Sequence, residues 1–461
     1  MTVQLPLNEK LCQVKMASGE PCGRLISTNE KCIFHFSWTY QEYEEHKIFD
    51  EEFWKEVDRI EKNDTIKELD FSNFIFPNTI SFEQHIFKKP VLFVNAKFDK
   101  KVQFLESNFN DIADFTGAEF CDEVNLLNAQ FNKNAIFVSV RFRKKAIFID
   151  VKFDQEANFD GAEFDDEASF YGTKFDEESD FNEAKFNKKA DFITAEFNKA
   201  ASFTDVQFCS KAFFNEVKFN NDVFFSGTEF MEEVSFRDTV FENKLQKIIF
   251  RFCRFHKPSD VKFQDVNLSN VSFLYTDITK VEFLNEKWAK KNGRLIVVDE
   301  SIREGWITYD AIAQLYRRLR WNYEANYKFA EAGDFFIGEM EMRRRNVITR
   351  FRNENIRNIE LWIKENFSLL GIFKHLSLYG ESYIRPLIFA FIIIISYPLL
   401  MHWLFNASSV IQPDDFLYVD LRKSAASFFQ MDSTYIVERI IGIPILGLSF
   451  IALKRKFERK R

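Results

Sequence analysis

The chain has 461 residues, which is too many for one compact core and implies two to four structural units. Phenylalanine supplies 58 of these residues, while glycine, proline and tryptophan are sparse. This excludes an ordinary mixed core and favours one small motif used many times. The net charge of −8 is uneven: residues 1–70 carry 9 basic and 15 acidic groups, whereas residues 284–461 carry 27 basic and 20 acidic groups. The basic C-terminal part favours a position near an anionic membrane surface.

A ladder of large apolar residues dominates the middle of the chain. From Phe71 to Phe241 such a residue recurs with gaps that alternate strictly between five and six, and 31 of the 32 positions are Phe, the exception being Leu126. We call each of these 32 large apolar residues a rung. A small or β-branched residue, such as Ala96 or Val102, stands two places before nearly every rung. In an α-helix, steps of five and six residues turn by about 500° and 600°, so no apolar stripe forms. In a coil of short strands each segment points one large and one small residue inward, which predicts four sides and about 22 residues per turn.

The ladder pauses after Phe241 and then resumes with a pure period of five, from Val261 and Phe263 to Val281 and Phe283. These A-x-F and V-x-L units resemble the pentapeptide-repeat family. The resemblance implies a right-handed quadrilateral β-helix, so the fold class is expected to be mainly β, with residues 71–283 forming about nine to ten coils. At roughly 4.8 Å per coil, such a β-helix is on the order of 45 Å long.

No signal peptide is expected, because the N-terminus is polar and leads into charged sequence, and the six cysteines are therefore expected to be reduced. Four potential metal ligands lie within residues 1–40 in the pattern C-x9-C-x9-C-x2-H: Cys12, Cys22, Cys32 and His35. Three thiolates and one imidazole complete a tetrahedral zinc site, which predicts one structural zinc ion and no open catalytic position. Buried, reduced cysteines without a metal are the alternative. Residues 41–70 are expected to be a helix or a linker.

Residues 284–307 are expected to connect the β-helix to a helical part. Helical patterning begins near Thr308, and residues 308–376 predict an αα-hairpin similar to one tetratricopeptide unit, followed by a juxtamembrane helix. The two helices of the hairpin are expected to join around Gly333 and Asp334. An aromatic internal seam is predicted from the residues that the two helices turn toward each other: Tyr316, Leu319, Tyr323, Tyr327, Phe335, Phe336 and Met340.

Residues 377–461 are expected to form a membrane domain with two transmembrane segments. Residues 385–405 carry no interior charge and are long enough to span about 30 Å of hydrocarbon. The second apolar run, 440–453, is shorter, and a basic tail follows it at once. Basic outer flanks and an acidic loop between the two runs predict a hairpin in the cell membrane with both ends, and the β-helix, on the cytoplasmic side.

The C-terminal part also resembles the module that follows the repeats in membrane-bound pentapeptide-repeat proteins, some of which look like two-helix ion channels. The resemblance implies a pore loop near 421–435, in which residues 424–430 are expected to form a short re-entrant helix. The stretch lacks a TVGYG-like run, so potassium selectivity is not expected.

No catalytic set is visible, because the six histidines are scattered and the carboxylates lie mainly on the outside of a repeat, so the protein is not expected to be an enzyme.

The leading hypothesis is a membrane-anchored scaffold whose cytosolic β-helix presents a surface to a protein partner. One alternative is a homo-oligomeric, channel-like protein that the β-helix regulates. Another, which the family resemblance implies, is a DNA-mimicking regulator of topoisomerase; the acidic stretch 154–180 would serve it, but a solvated surface explains the same stretch. No direct nucleic-acid binding is expected.

Overall fold

A computed structural model describes residues 11–24, 31–35, 43–241, 247–302, 305–352, 360, 363, 366–405, 413–430 and 436–458. The chain divides into two compact units. Unit 1 comprises residues 1–290 and 297–301, and unit 2 comprises residues 291–296 and 302–461.

Unit 1 contains a β-helix of about ten turns, built from strands of two to four residues that pair in parallel to form four sheets, one on each face. The first face consists of Leu69–Asp70, Val91–Leu92, Ala113–Asp114, Ala135–Ile136, Ala157–Asn158, Ser179–Asp180, Ala201–Ser202, Val223–Phe224, Ile248–Ile249 and Val271–Ser272. The second face consists of Ile75–Phe76, Lys97–Phe98, Glu119–Phe120, Arg141–Phe142, Glu163–Phe164, Lys185–Phe186, Gln207–Phe208, Glu229–Phe230 and Arg254–Phe255. The third face consists of Ile80–Ser81, Val102–Gln103, Val124–Asn125, Ala146–Ile147, Ala168–Ser169, Ala190–Asp191, Ala212–Phe213, Val234–Arg237, Val261–Gln264 and Glu282–Leu284. The fourth face consists of Ile86–Phe87, Asn108–Phe109, Gln130–Phe131, Lys152–Phe153, Lys174–Phe175, Glu196–Phe197, Lys218–Phe219 and Val240–Phe241.

The length of a turn follows the spacing of the rungs. Leu69 pairs with Val91, so one turn takes 22 residues where the gaps alternate between five and six. Phe263 pairs with Phe283, so the last turn takes 20 residues, because there every side of the coil has five. The four-sided coil predicted from the sequence is therefore confirmed.

The core of the β-helix is a stack of phenylalanine rings. The ring of Phe170, for example, lies 4.8 Å from those of Phe148 and Phe192 in the adjacent turns, nearly parallel to both. Ala168, two residues before this rung, is also buried. Each side thus buries one large and one small side chain, as predicted, and this apolar area is the main stabilising contribution to the fold.

Two of the four corners in each turn need a left-handed backbone. At the corner between the first and second faces, Asn95 has φ +54° and the equivalent Gly117 has φ +66°. Asn, Asp and Gly fill most of these positions, because they adopt positive φ at the least cost.

A helix, α1 (Tyr43–Glu61), packs against the first turns of the β-helix. Phe49, Phe53 and Ile60 lie on its apolar side and are buried. The ring of Phe53 lies 5.0 Å from that of Phe71, the first rung of the ladder. The helix therefore covers apolar surface that the end of the stack would otherwise expose.

The remaining elements are listed in chain order: a short 3-10 helix (Pro258–Asp260), two strands (Ala289–Lys291 and Arg294–Ile296), α2 (Val298–Ser301), α3 (Tyr309–Ala325), α4 (Phe329–Arg352), α5 (Leu369–Ser377), α6 (Ile384–Phe405), α7 (Pro413–Phe428) and α8 (Ile436–Glu458).

Helices α3 and α4 pack together as a hairpin, but the sequence prediction of their junction is wrong. The chain turns at residues 326–328, where Tyr327 has φ +59° and is 82% exposed, so Tyr327 is not part of the seam. Gly333 and Asp334 lie inside α4. A glycine is useful in this helix for close packing rather than for a turn: at Gly338 an added Cβ would lie 2.6 Å from the ring of Tyr316.

The two transmembrane segments expected over 385–405 and 440–453 also need correction. These residues are helical, in α6 and α8, but within the described ranges no helix is both long enough and apolar enough to cross a bilayer. In α8, charged residues at both ends flank an apolar run shorter than the roughly 20 residues that a span needs, and each helix contains a proline.

The pore loop expected near 421–435 is helical over its first part. Residues 421–428 belong to α7, and residues 431–435 lie outside the described part of the chain. The hydroxyl of Ser424 donates to the carbonyl oxygen of Ile394 in α6 at 2.9 Å, and Phe428 packs with Ala390 and Ile445 in a small buried core. Ser424 and Phe428 therefore hold this helical segment against α6 and α8.

Candidate metal centre

The first two cysteines of the predicted zinc motif are brought together by a tight hairpin. The amide of Cys12 donates to the carbonyl of Arg24 at 2.8 Å, and the amide of Cys22 donates to the carbonyl of Val14 at 2.8 Å. Gly19, at the turn, has φ +85°, which explains why a glycine stands there. The nine-residue spacing therefore places Cys12 and Cys22 on opposite arms of one hairpin.

The last two ligands lie in a turn that leads into the β-helix. The amide of His35 donates to the carbonyl of Cys32 at 3.1 Å, so the C-x2-H spacing is that of a single turn. Phe34 stands between these two ligands in the sequence. Its carbonyl accepts a hydrogen bond at 2.8 Å from the amide of Ile75, which lies in the first strand of the second face. This turn therefore extends the backbone pairing of that face by one step.

The four ligand atoms converge. All of them lie within 4.8 Å of one another. Cys22 Sγ is 3.7 Å from Cys32 Sγ, and His35 Nδ1 is 3.2 Å from Cys32 Sγ and 3.5 Å from Cys12 Sγ. Cys12, Cys32 and His35 are buried, and Cys22 is half-buried. The structure thus brings together all four residues that the sequence singles out.

The separations suit a tetrahedral metal ion. With metal–sulfur bonds of about 2.3 Å, two sulfurs of a tetrahedron lie about 3.8 Å apart, close to the distance between Cys22 and Cys32. His35 Nε2 lies 3.2 Å from the carbonyl oxygen of Ser72, and a proton on Nε2 leaves the lone pair of Nδ1 directed at the sulfurs. Such a backbone acceptor behind a histidine is typical of metal sites.

The electrostatics around Cys22 favour its thiolate. Hydrogen bonds, chiefly from the thiol of Cys32 and also from Arg24, whose Nη1 lies 3.2 Å from the Cys22 sulfur, together lower the pKa of Cys22 to about 3. The hydrogen bond between the two cysteines raises the pKa of Cys32. The site is therefore built to hold at least one anionic sulfur, which is the form that binds metals.

Arg24 links this cluster to α1. Its Nη2 lies 2.7 Å from Oε1 of Glu56, and its guanidinium lies over the rings of Phe34 and Phe74 at 5.5 and 5.1 Å. Sequence reasoning missed Arg24, Glu56 and Ser72, because they come together only through tertiary contacts. The proximity of Arg24 to Cys22 in sequence was the one available signal.

The outward side chains of the second face are charged, and neighbouring turns compensate one another. Along the second face, Lys97, Glu119, Arg141, Glu163 and Lys185 lie opposite one another in successive turns, so the sign of the charge alternates. Arg141 lies 3.5 Å from Glu163. The acidic stretch 154–180 is therefore interrupted by cations from neighbouring turns.

Comparisons with known proteins agree with the repeat. A family model described as pentapeptide repeats (9 copies) matches residues 93–141 and 137–185, which lie in the central turns of the β-helix. Neither the comparison with curated proteins nor that with solved structures gives a match. The matched residues are therefore similar to pentapeptide repeats, and they lie in four-sided turns of the β-helix.

Proposed function

We propose that this protein is a scaffold that is attached to a lipid surface by its C-terminal helices and presents the outer surface of its β-helix to a protein partner. The observation that carries the proposal is the direction of the apolar side chains, which differs between the two units. In the β-helix they point inward and fill the core, whereas in α6 and α8 many point outward.

The β-helix suits a scaffold because its interior is fully used for packing. The rungs and the small residues before them are buried, so the outward residues at fixed spacing are what a partner meets. Neighbouring turns lie about 4.8 Å apart, so these residues form regular columns along each face. A regular, rigid surface of this kind favours binding of another macromolecule over catalysis.

The helices α6 and α8 expose apolar area that water does not favour. In α6 the side chains at least 38% exposed include Leu387, Ile388, Phe391, Ile392, Ile395, Leu399, Leu400 and Trp403. In α8 they include Ile436, Val437, Ile440, Ile441, Ile443, Phe450 and Ile451. We call these residues the apolar helix surface. Large apolar side chains exposed in such numbers mark membrane or protein interaction sites, and lipid acyl chains are the cover that we propose.

The compartment we propose for the β-helix is the cytoplasm, on the inner side of the cell membrane. The six cysteines, all within the described residues, are free thiols, which is the state expected in a reducing compartment.

The cofactor we propose is one structural zinc ion held by Cys12, Cys22, Cys32 and His35. When bound, the ion supplies cross-linking of the hairpin to the turn that leads into the β-helix.

The charge pattern favours a protein-binding surface over a DNA-like one. A mimic of the duplex needs a continuous negative field, whereas the second face alternates in sign. A channel formed by several copies would also cover the apolar helix surface, and the test below separates it from attachment to lipid.

Flotation of the full-length protein with vesicles of phosphatidylcholine and phosphatidylglycerol tests the proposal. We expect the wild type to float, and Phe391→Asp combined with Phe450→Asp to reduce flotation strongly. Ile86→Asp is the matched control, since Ile86 is 49% exposed but lies on the β-helix. A wild type that stays unbound as a discrete oligomer would overturn attachment to lipid and assign the apolar helix surface to contacts between copies.

A further inference from the structure

One corner column of the β-helix changes character near its C-terminal end. The corner between the first and second faces places one residue per turn at positive φ: Asn73, Asn95, Gly117, Ser139, Gly161, Glu183, Asp205, Gly227, Phe252 and Tyr275. Eight of these ten residues are small or polar. The last two are aromatic, with φ +59° at Phe252 and +62° at Tyr275.

These two aromatic residues adopt a backbone conformation that bulky side chains rarely occupy. A positive φ at Phe or Tyr is a true outlier that strains the backbone, and such outliers cluster at functional sites. Neither ring compensates by burial, because Phe252 is 53% exposed and Tyr275 is 40% exposed. Burial of the two side chains therefore does not account for the strained backbone.

The two rings form a flat, stacked platform. Their centroids lie 4.7 Å apart and their planes differ by 5°. Tyr275, in the next turn, covers one face of the Phe252 ring. The equivalent residue of the preceding turn is Gly227, which has no side chain to cover the other face, and Phe252 is 53% exposed.

The carboxylate of Asp205, in the turn before Gly227, lies close to this glycine. An added Cβ at Gly227 would lie 1.9 Å from Oδ1 and 3.0 Å from Cγ of Asp205, so the Asp205 carboxylate leans over the glycine toward Phe252. Asp205 is exposed, and among the described residues its carboxylate takes part in no side-chain hydrogen bond or ion pair. The slot between these groups is thus bounded by the ring of Phe252 and by a carboxylate that has no cationic partner among the described residues.

We infer that this slot, formed by Phe252, Gly227 and Asp205, binds an arginine side chain of a protein partner. A guanidinium is planar and cationic, so it stacks on an aromatic face and at the same time donates two hydrogen bonds to a carboxylate. A lysine ammonium gains the charge interaction without the stacking geometry. The inference rests on the proposed function in that it names the partner's chemistry for the outer surface of the scaffold.

The test measures fluorescence anisotropy of labelled peptides with full-length protein. The three peptides alternate serine with arginine, lysine or citrulline. Phe252→Asn removes the platform with a residue that tolerates positive φ, and Asp205→Asn removes the charge. Asp150→Asn is the matched control, because Asp150 leans in the same way over Gly172 at the other left-handed corner, where Thr194 stands in the next turn.

We expect the arginine peptide to bind most tightly, and Phe252→Asn and Asp205→Asn each to weaken it roughly threefold or more, with little effect of Asp150→Asn. Phe252→Asn should leave the thermal midpoint unchanged or raise it, because strain is released. Equal weakening by all three substitutions, or no preference for arginine, would overturn the inference. A lower midpoint for Phe252→Asn would also count against it, since the stack would then be structural. Vesicle flotation of Phe252→Asn, expected to match the wild type, reports separately on the proposed function.

Discussion

The ring of Phe34 lies directly on that of Phe74, with centroids 4.6 Å apart and planes 3° from parallel. Phe34 stands between two of the candidate metal ligands, Cys32 and His35, and is buried. The metal cluster and the phenylalanine stack are therefore one packing unit, because the turn that carries the ligands also supplies an additional ring at the end of the stack.

The first prediction concerns the metal. Purified protein should contain about one zinc ion per chain, and Cys32→Ser should lose it, because three sulfurs and one nitrogen complete the tetrahedron. Loss of the ion should also expose residues 11–35 to limited proteolysis. Cys121→Ser is the control: Cys121 lies in the β-helix, outside the cluster, and its substitution should leave metal content unchanged. Wild-type protein that retains less than about a tenth of an equivalent would contradict the assignment.

The second prediction concerns a single rung. Phe170→Ala should lower the free energy of unfolding by about 3–5 kcal/mol, because it removes a fully buried ring that stacks on two others. The adjacent Tyr171 is 43% exposed, so Tyr171→Ala should change stability by less than about 0.5 kcal/mol. Chemical denaturation followed by far-ultraviolet circular dichroism compares the two. Similar effects from both substitutions would show that the inward and outward positions are misassigned.

A third prediction tests the close approach of α3 and α4. Gly338→Ala should destabilise unit 2 by about 1–3 kcal/mol, because the new methyl would collide with the buried ring of Tyr316. Gly447→Ala in α8 is the matched control, since nothing lies within 4 Å of an added Cβ there. The control should be neutral or stabilising by about 0.5–1 kcal/mol. Thermal melts of the helical signal at 222 nm measure both.

A fourth prediction follows from a half-buried carboxylate in α4, that of Glu341. Burial alone would raise the pKa of Glu341, but hydrogen bonds and charge from Arg344 and Lys374 lower it to about 2 from an ordinary value of 4.5. Because the folded pKa is depressed, the stabilisation is fully present above pH 4.5 and is lost as the pH falls toward 2.

The thermal midpoint of unit 2 should therefore fall between pH 5 and pH 2 in the wild type, by an amount equivalent to roughly 2–3 kcal/mol. Glu341→Gln should be less stable at neutral pH and should lose most of this dependence. Glu324→Gln, at a half-exposed carboxylate, should behave like the wild type. An unchanged pH profile in Glu341→Gln would refute the assignment.

The β-helix was predictable because its signal is local and repeated. Each rung such as Phe170 is preceded two residues earlier by a small residue such as Ala168, and the alternation of five and six fits only a four-sided coil. The clustering of the candidate metal ligands was predictable in part, since the CIFH turn, which carries Cys32 and His35, is contiguous. Their supporting contacts were not, because Ser72 and Glu56 reach the cluster through the fold.

The helical part was harder to predict. The pair Gly333 and Asp334 is typical of a turn, yet the chain turns at 326–328 and continues through the glycine as a helix. Small residues serve close packing as often as turns, and a single sequence does not separate these uses. The apolar runs near 385–405 and 440–453 predicted helices correctly, but the prediction that these helices span a membrane is not met by any helix within the described residues.

Fluorescence quenching by brominated lipid tests the proposed contact between α6 and the membrane most directly. Trp403 in α6 is 73% exposed, whereas Trp321, 48% exposed, lies in α3, outside the apolar helix surface. We predict that vesicles of brominated phosphatidylcholine quench part of the wild-type tryptophan emission, that Trp403→Phe removes most of the quenchable part, and that Trp321→Phe does not. Wild-type emission that brominated lipid leaves unchanged, or equal quenching in Trp403→Phe, would contradict attachment through this helix.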